Sequence, residues 1–289
     1  MSLHEVRVAG LDYLALATKL LQRARQADLE AGVWEAADLQ WWWRTPRASD
    51  AIDQLIWVDD TGPVAAVVLT DWGRAWGCDP LVVPGATPGL LSEAWARAME
   101  LIDDLALDRV ETLVRDDDRP LLALLAESDF VASDEHSGIS WMDADDRPQV
   151  SAPPDGFRLV NRTQRAGRPH PMRRRSGELV DMRLRQTSLY DPELDLAVEA
   201  RHGDVAGYAL FWLDPVTGVG LVEPMRVEDA YQRRGLARSL LSAGIERLVQ
   251  RGARRLKVGY GTEAARMLYT GAGFRPAATL TSYRWARAT

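Results

Sequence analysis

The feature that most constrains this chain is that it repeats itself. Residues 1–145 laid over 150–289 give a recurring offset of 144: Pro80 meets Pro224, Phe130 meets Phe274 and Trp141 meets Trp285. Whole patterns follow the single letters. Val64 to Leu69 reads as a strand opposite Tyr208 to Leu213, Leu91 to Leu105 as a helix opposite Gly235 to Val249, and Val110 to Val114 as a strand opposite Arg254 to Val258. A period this long signals two copies of a domain and not a solenoid. A chain of 289 residues accommodates two ordinary domains. The reading is therefore one domain at 1–147 and a second at 148–289. Ser151-Ala152-Pro153-Pro154-Asp155-Gly156 is the punctuated stretch that joins them.

Within the first half, Val6 to Val8 reads as a strand and Leu11 to Ala31 as an amphipathic helix, with Leu14, Leu16, Leu20, Leu21 and Ala24 repeating at three to four residues. Trp34 to Trp43 is expected to be a second helix. Asp59-Asp60-Thr61-Gly62 turns a hairpin, and strands at Leu81 to Val83, Val110 to Val114 and Gly138 to Met142 alternate with helices at Ser92 to Leu105 and Pro120 to Ser128. In the second half, Asn161 to Arg175 contains Gly167, Pro169 and Pro171 and has no apolar stripe. The expectation there is a mobile lid or a partly disordered segment.

The halves differ in chemistry at one turn. The apolar run Val219 to Val227 leads into Glu-Asp-Ala-Tyr-Gln-Arg-Arg-Gly-Leu-Ala, and a helical pattern follows from Leu236 to Val249. A helix start leaves its first N–H groups without intrahelical acceptors and carries partial positive charge, which suits a pyrophosphate. Arg233, Arg234 and Arg238 add formal charge, and Gly235 lets a ligand approach closely. The offset sets Leu91 opposite Gly235, and Gly89 and Leu90 opposite Arg233 and Arg234. The first-half turn Val83-Pro84-Gly85-Ala86-Thr87-Pro88-Gly89 thus lacks the charges and contains two prolines without N–H donors.

Gln232-Arg233-Arg234-Gly235-Leu236-Ala237 resembles the acyl-CoA-binding signature Gln/Arg-x-x-Gly-x-Gly/Ala of the GCN5-related N-acetyltransferases (GNAT). Ala264 to Phe274, with Tyr269 ahead of Gly273-Phe274, resembles that family's late helix and the turn into its last strands. The resemblance implies an α/β (α+β) protein of two tandem GNAT-like domains, each a mixed, mostly antiparallel sheet flanked by helices. The first domain is expected to be degenerate and the second to bind acetyl-CoA. It further implies that Met225, Arg226 and Val227 offer a strand edge to the pantetheine arm. Gln232, Arg233, Arg234, Gly235, Leu236, Ala237 and Arg238 are to hold the pyrophosphate. Thr262 stands where the family often has an asparagine on the cofactor arm, and a helix N-cap is an equal alternative. Tyr269 is the candidate general acid for the departing thiolate. Glu223, interrupting an apolar strand, is the candidate general base, with an ordinary edge glutamate as the alternative. The expected activity is acetyl transfer to a primary amine, of a small molecule first. A protein or peptide amine, or a CoA-binding sensor without catalysis, are the rivals.

Composition narrows the field. Net charge is −7, against nucleic-acid binding. Of 35 basic residues only Lys19 and Lys257 are lysines, so an arginine run such as Arg173-Arg174-Arg175 reads first as solvated surface and second as a phosphate contact. Cys78 is the single cysteine, and His4, His136, His170 and His202 are scattered, so no metal site is expected. No apolar run reaches about 20 residues and no leader is evident at Met1 to Val6, which together suggest a cytoplasmic protein, monomeric or dimeric, with no membrane partner. Trp41-Trp42-Trp43 cannot share one helix face; one or two should be core, and another should cap the junction of the halves or wall a ligand.

Overall fold

The computed structural model describes residues 3–287. Met1 and Ser2, at the head of the stretch read for a leader, lie outside it. The first repeat runs β1 (His4–Val8), α1 (Gly10–Ala27), α2 (Ala36–Trp42), β2 (Gln54–Asp59), β3 (Gly62–Asp71), β4 (Trp76–Val82), α3 (Leu90–Asp104), β5 (Arg109–Arg115), α4 (Arg119–Glu127) and β6 (Val131–Asp143). The second runs β7 (Phe157–Asn161), α5 (Arg173–Ser176), α6 (Val180–Leu184), β8 (Asp195–Ala200), β9 (Val205–Asp214), β10 (Val219–Val227), α7 (Leu236–Gln250), β11 (Arg255–Tyr260), α8 (Glu263–Gly271) and β12 (Arg275–Ala286).

Two compact units form, and they are not the two repeats. Unit 1 comprises residues 1–39, 46–137 and 278–289; unit 2 comprises 40–45 and 138–277. The last strand of each repeat is exchanged. In unit 1, β5 pairs antiparallel with β12, from Arg115↔Leu280 to Arg109↔Ala286. In unit 2, β11 pairs antiparallel with β6, from Arg255↔Asp143 to Tyr260↔Gly138. The cut at 147/148 separates the sequence repeats, whereas packing follows the exchanged strands.

Each unit has the same topology. In unit 1, β1-β2-β3-β4 are antiparallel neighbours, β4 and β5 are parallel, and β5 meets β12. In unit 2, β7-β8-β9-β10 are antiparallel, β10 and β11 are parallel, and β11 meets β6. β9 is apolar almost throughout because both faces are covered. One face takes α7, whose Leu236, Leu240, Leu241, Ile245 and Leu248 form a single stripe. Gly244 brings that helix close: a Cβ there would lie 2.0 Å from Phe211 Cζ. α3 does the same for unit 1 through Leu90, Ala94, Trp95, Ala98 and Ile102. Among the described residues no helix is long and apolar enough to cross a membrane.

Candidate active site

The site begins where two parallel strands part. β10 and β11 pair from Val219↔Arg255 to Leu221↔Lys257 and no further. The ladder of β10 to β9 shifts register between Val222 and Met225, around Glu223 and Pro224, which has no N–H to donate. Met225, Arg226 and Val227 then resume pairing with Ala209, Tyr208 and Gly207 of β9. In an antiparallel ladder alternate amides face the partner and the others face away. Here the others face the gap opened by β11.

At the head of this gap lies the turn into α7. Arg233 (φ 59°) and Gly235 (φ 82°) are both left-handed, and Gly235 N-caps the helix. Among the described residues, the backbone amides of Arg233, Arg234, Gly235, Leu236, Ala237 and Arg238 find no backbone acceptor; the first that does is Ser239, on Gly235 O at 3.1 Å. Alternating handedness turns such amides toward one side and forms an anion-binding concavity, reinforced by the helix dipole. Gln232, Arg233, Arg234, Gly235 and Arg238 are exposed and Ala237 is half-buried, whereas Leu236 is core. Gln232 donates to Val227 O and to Asp229, bracing the turn. A Cβ at Gly235 would meet only Pro154 Cγ, at 4.0 Å. Internal packing therefore leaves room beside this glycine; its left-handed backbone and open face are what the position provides.

Tyr269 reaches the same gap from α8. Its ring packs edge-on to Phe274, 5.9 Å between centroids, and the residue is buried. Its hydroxyl has no hydrogen-bond partner among the described residues. Burial pushes its pKa up, and the negative charge of Glu223 adds to that, so the phenol stays protonated and Glu223 lies within electrostatic reach. Glu223 is half-buried, and its carbonyl accepts from Trp212 Nε1 at 2.6 Å. Thr262 N-caps α8, accepting from the Ala265 amide at 3.2 Å. That is the cap alternative, and the hydroxyl proton stays available to a second acceptor.

The segment 161–175 is not a lid. Its arginines are ion-paired: Arg165 and Arg168, with Arg158 of β7, converge on Glu199, which is 1% exposed. Arg162 pairs with Asp181 at 2.8 Å, and His170 Nε2 meets Asp195 at 2.8 Å while its Nδ1 accepts from the Met172 amide. Arg175 makes a two-pronged bond to Glu228, 2.8 and 2.9 Å, so the segment is tied to the strand end that feeds the turn into α7. Arg173 pairs with Glu178. Buried charges are stable only when paired in this way.

The tryptophans also belong to unit 2. All three are buried: α2 stops at Trp42, and Trp43 turns away from the helix. Trp43 Nε1 donates to Gln186 at 3.0 Å, with the Arg183 guanidinium 3.7 Å over its ring. Gln40 donates to Ser188 Oγ and accepts from the Leu189 amide.

In unit 1 the residue equivalent to Gly235 is Gly89, not Leu91. Gly89 has φ 86° and N-caps α3, as Gly235 caps α7. The loop before α3 is two residues shorter, since Pro80 lies ten residues before Leu90 and Pro224 twelve before Leu236. Thr87 and Pro88 therefore replace Arg233 and Arg234, and the turn still lacks their charge. The pair Gly-Leu at both helix starts was the available signal.

Residues 158–274 match the model of the acetyltransferase (GNAT) family. Among curated proteins no match is found. Among solved structures, a tandem GNAT protein from the clavulanic acid biosynthesis pathway is 18% identical with a TM-score of 0.70, over 100% of this chain and 99% of that one. A GCN5-related N-acetyltransferase from Sphaerobacter thermophilus is also 18% identical, TM-score 0.64, over 98% and 95%. A putative acetyltransferase from Pyrococcus horikoshii is 13% identical, TM-score 0.56, over 99% and 90%. At such identities the likeness is one of fold. Within the second repeat, residues 158–274 match the GNAT family model, and the whole chain has the fold of tandem GNAT structures.

Proposed function

We propose, from that family match of residues 158–274, that unit 2 is an acetyl-CoA-dependent N-acetyltransferase acting on a primary amine of a small molecule. The observation that carries this reading is the row of six amides from Arg233 to Arg238 without backbone acceptors, beside three exposed arginines. That chemistry fits a pyrophosphate. Acetyl-CoA would supply an activated thioester; the residues of this chain do the rest. The free amide edge of Met225 to Val227 orients the pantetheine arm and polarises the acetyl carbonyl. Glu223 accepts a proton from the acceptor's ammonium before attack, directly or through water, because only the neutral amine is a nucleophile. Tyr269, protonated and without an internal partner, donates to the leaving sulfur. Holding the reactants in this gap supplies much of the acceleration.

A small amine is favoured over a protein lysine by the ordered, ion-paired segment 161–175, which carries Arg175 to the edge of the turn. The test is release of CoA thiol on adding acetyl-CoA with a panel of small primary amines and, separately, with lysine-containing and free N-terminal peptides. Turnover with amines and none with peptides supports the reading. Turnover with peptides alone moves the acceptor to protein, and turnover with neither, by an enzyme that binds acetyl-CoA, leaves a CoA-binding protein without catalysis.

A further inference from the structure

Unit 1 contains a gap of the same construction, with different chemistry. β4 and β5 pair at Trp76↔Val110 and Gly77↔Glu111 and then part. Asp79 stands two residues beyond the last paired position, as Glu223 does beyond Leu221. The gap opens a cavity of about 450 Å³ whose wall includes Leu20, Trp34, Asp79, Leu81, Thr112 and Val114.

Two polar side chains in that wall are incompletely matched. Thr112 is 3% exposed, and its Oγ1 has no hydrogen-bond partner among the described residues. Asp79 is 6% exposed; its Oδ1 accepts from Trp34 Nε1 at 2.9 Å, and among the described residues the carboxyl has no ion pair. A buried hydroxyl with no partner is uncommon and points to something absent from the protein itself. The arginines of the wall are already engaged. Arg25 meets Glu35 through two nitrogens, and Arg115 meets Asp117 at 2.8 Å twice. The turn before α3 has Thr87 and Pro88 in place of arginines, and Pro84 and Pro88 supply no amide. This cavity thus offers a buried carboxylate that no pyrophosphate would choose, in a wall whose arginines are already paired and whose second carboxylate, Asp118, N-caps α4.

We propose that the unit 1 cavity binds a small primary amine, its ammonium on Asp79 and a hydroxyl or carbonyl of the same molecule on Thr112. Burial pushes the Asp79 carboxyl up to about 7, the charge of Glu111 adding to this and the Trp34 hydrogen bond opposing it. An ammonium at hydrogen-bond distance would reverse that penalty. Leu125, fully buried, occupies the place that Tyr269 has in unit 2. The pocket therefore binds and does not transfer. The inference does not depend on the activity of unit 2.

The Trp34 indole N–H reports the site directly, and Trp34→Phe assigns its resonance. Phenylalaninol and a series of simpler primary amines would be titrated into the full chain, alongside the neutral analogue of phenylalaninol with hydroxyl in place of ammonium. The expected result is a saturable shift of the Trp34 resonance by an amine at millimolar concentration or below. The neutral analogue and the Asp79→Asn variant should each bind at least about tenfold more weakly, since a hydrogen bond to a charged group is lost. Thr112→Val should weaken phenylalaninol and leave butylamine unchanged, a readout that a folding defect would not give. Gly235→Glu should leave the shift intact. No shift by any amine with folded wild type, or equal binding of the neutral analogue, overturns the proposal.

Discussion

Removing the charge of Asp79 should change how stability depends on pH. Desolvation moves this carboxyl from 3.8 to about 7, with Glu111 contributing and Trp34 partly offsetting. The folded chain thus retains a proton that the unfolded chain releases above about pH 4. A folded pKa raised above the unfolded one means stability present at low pH and lost as pH rises toward 7. The whole displacement is about 3 pH units, or about 4 kcal/mol at 1.36 kcal/mol per unit; the part between about pH 5 and pH 8 is about 3 kcal/mol. Asp79→Asn keeps the shape and the acceptor for Trp34 and removes the titration. Urea unfolding of wild type and variant, followed at about pH 5 and about pH 8, isolates this group because all other titrations cancel in the double difference. The variant should gain about 3 kcal/mol relative to wild type on going from the lower to the higher pH. Parallel stability–pH curves would refute the reasoning and mean that water or a counter-charge already solvates Asp79.

Tyr269→Phe removes a hydroxyl without an internal partner, so stability should change by less than about 0.5 kcal/mol. Turnover should fall by about 10²- to 10⁴-fold with acetyl-CoA affinity retained, read by steady-state kinetics and calorimetry. Glu199→Gln leaves three arginines facing a neutral amide and should cost about 3 kcal/mol, measured by urea unfolding, with new tryptic cleavage near Arg168. Residues 148–289 expressed alone lack the β6 edge that pairs β11 and the Trp43 contact to Gln186; the fragment should be aggregated or unfolded by circular dichroism and sedimentation.

The helices that hold the site were legible because their stripes are strong: Leu236, Leu240, Leu241 and Leu248 announce α7 whatever they pack on. The left-handed turn before α7 was legible because a glycine between a strand and a helical stripe marks such a turn. The strand exchange was not, because the apolar residues of β6 and β12 call for burial and do not name a partner strand. Segment 161–175 read as a lid or a disordered segment because Glu199 and Asp195, which receive its arginines and histidine, lie some thirty residues on in the chain. Gly89 was misaligned because a loop two residues shorter is invisible to a constant offset. The unit 1 cavity had no sequence signal beyond Asp79 preceding Pro80, as Glu223 precedes Pro224.

The central claim is that the turn before α7 receives the phosphates of acetyl-CoA. Its most direct test is calorimetric titration of acetyl-CoA into wild type and into Gly235→Glu, with folding of both checked by circular dichroism. The variant puts a carboxylate beside the open amides at an exposed, left-handed position. Saturable binding at unit 2 in the wild type, weakened by about 100-fold or more in the variant, is the predicted result. Equal binding by the two proteins, or none by folded wild type, would contradict it.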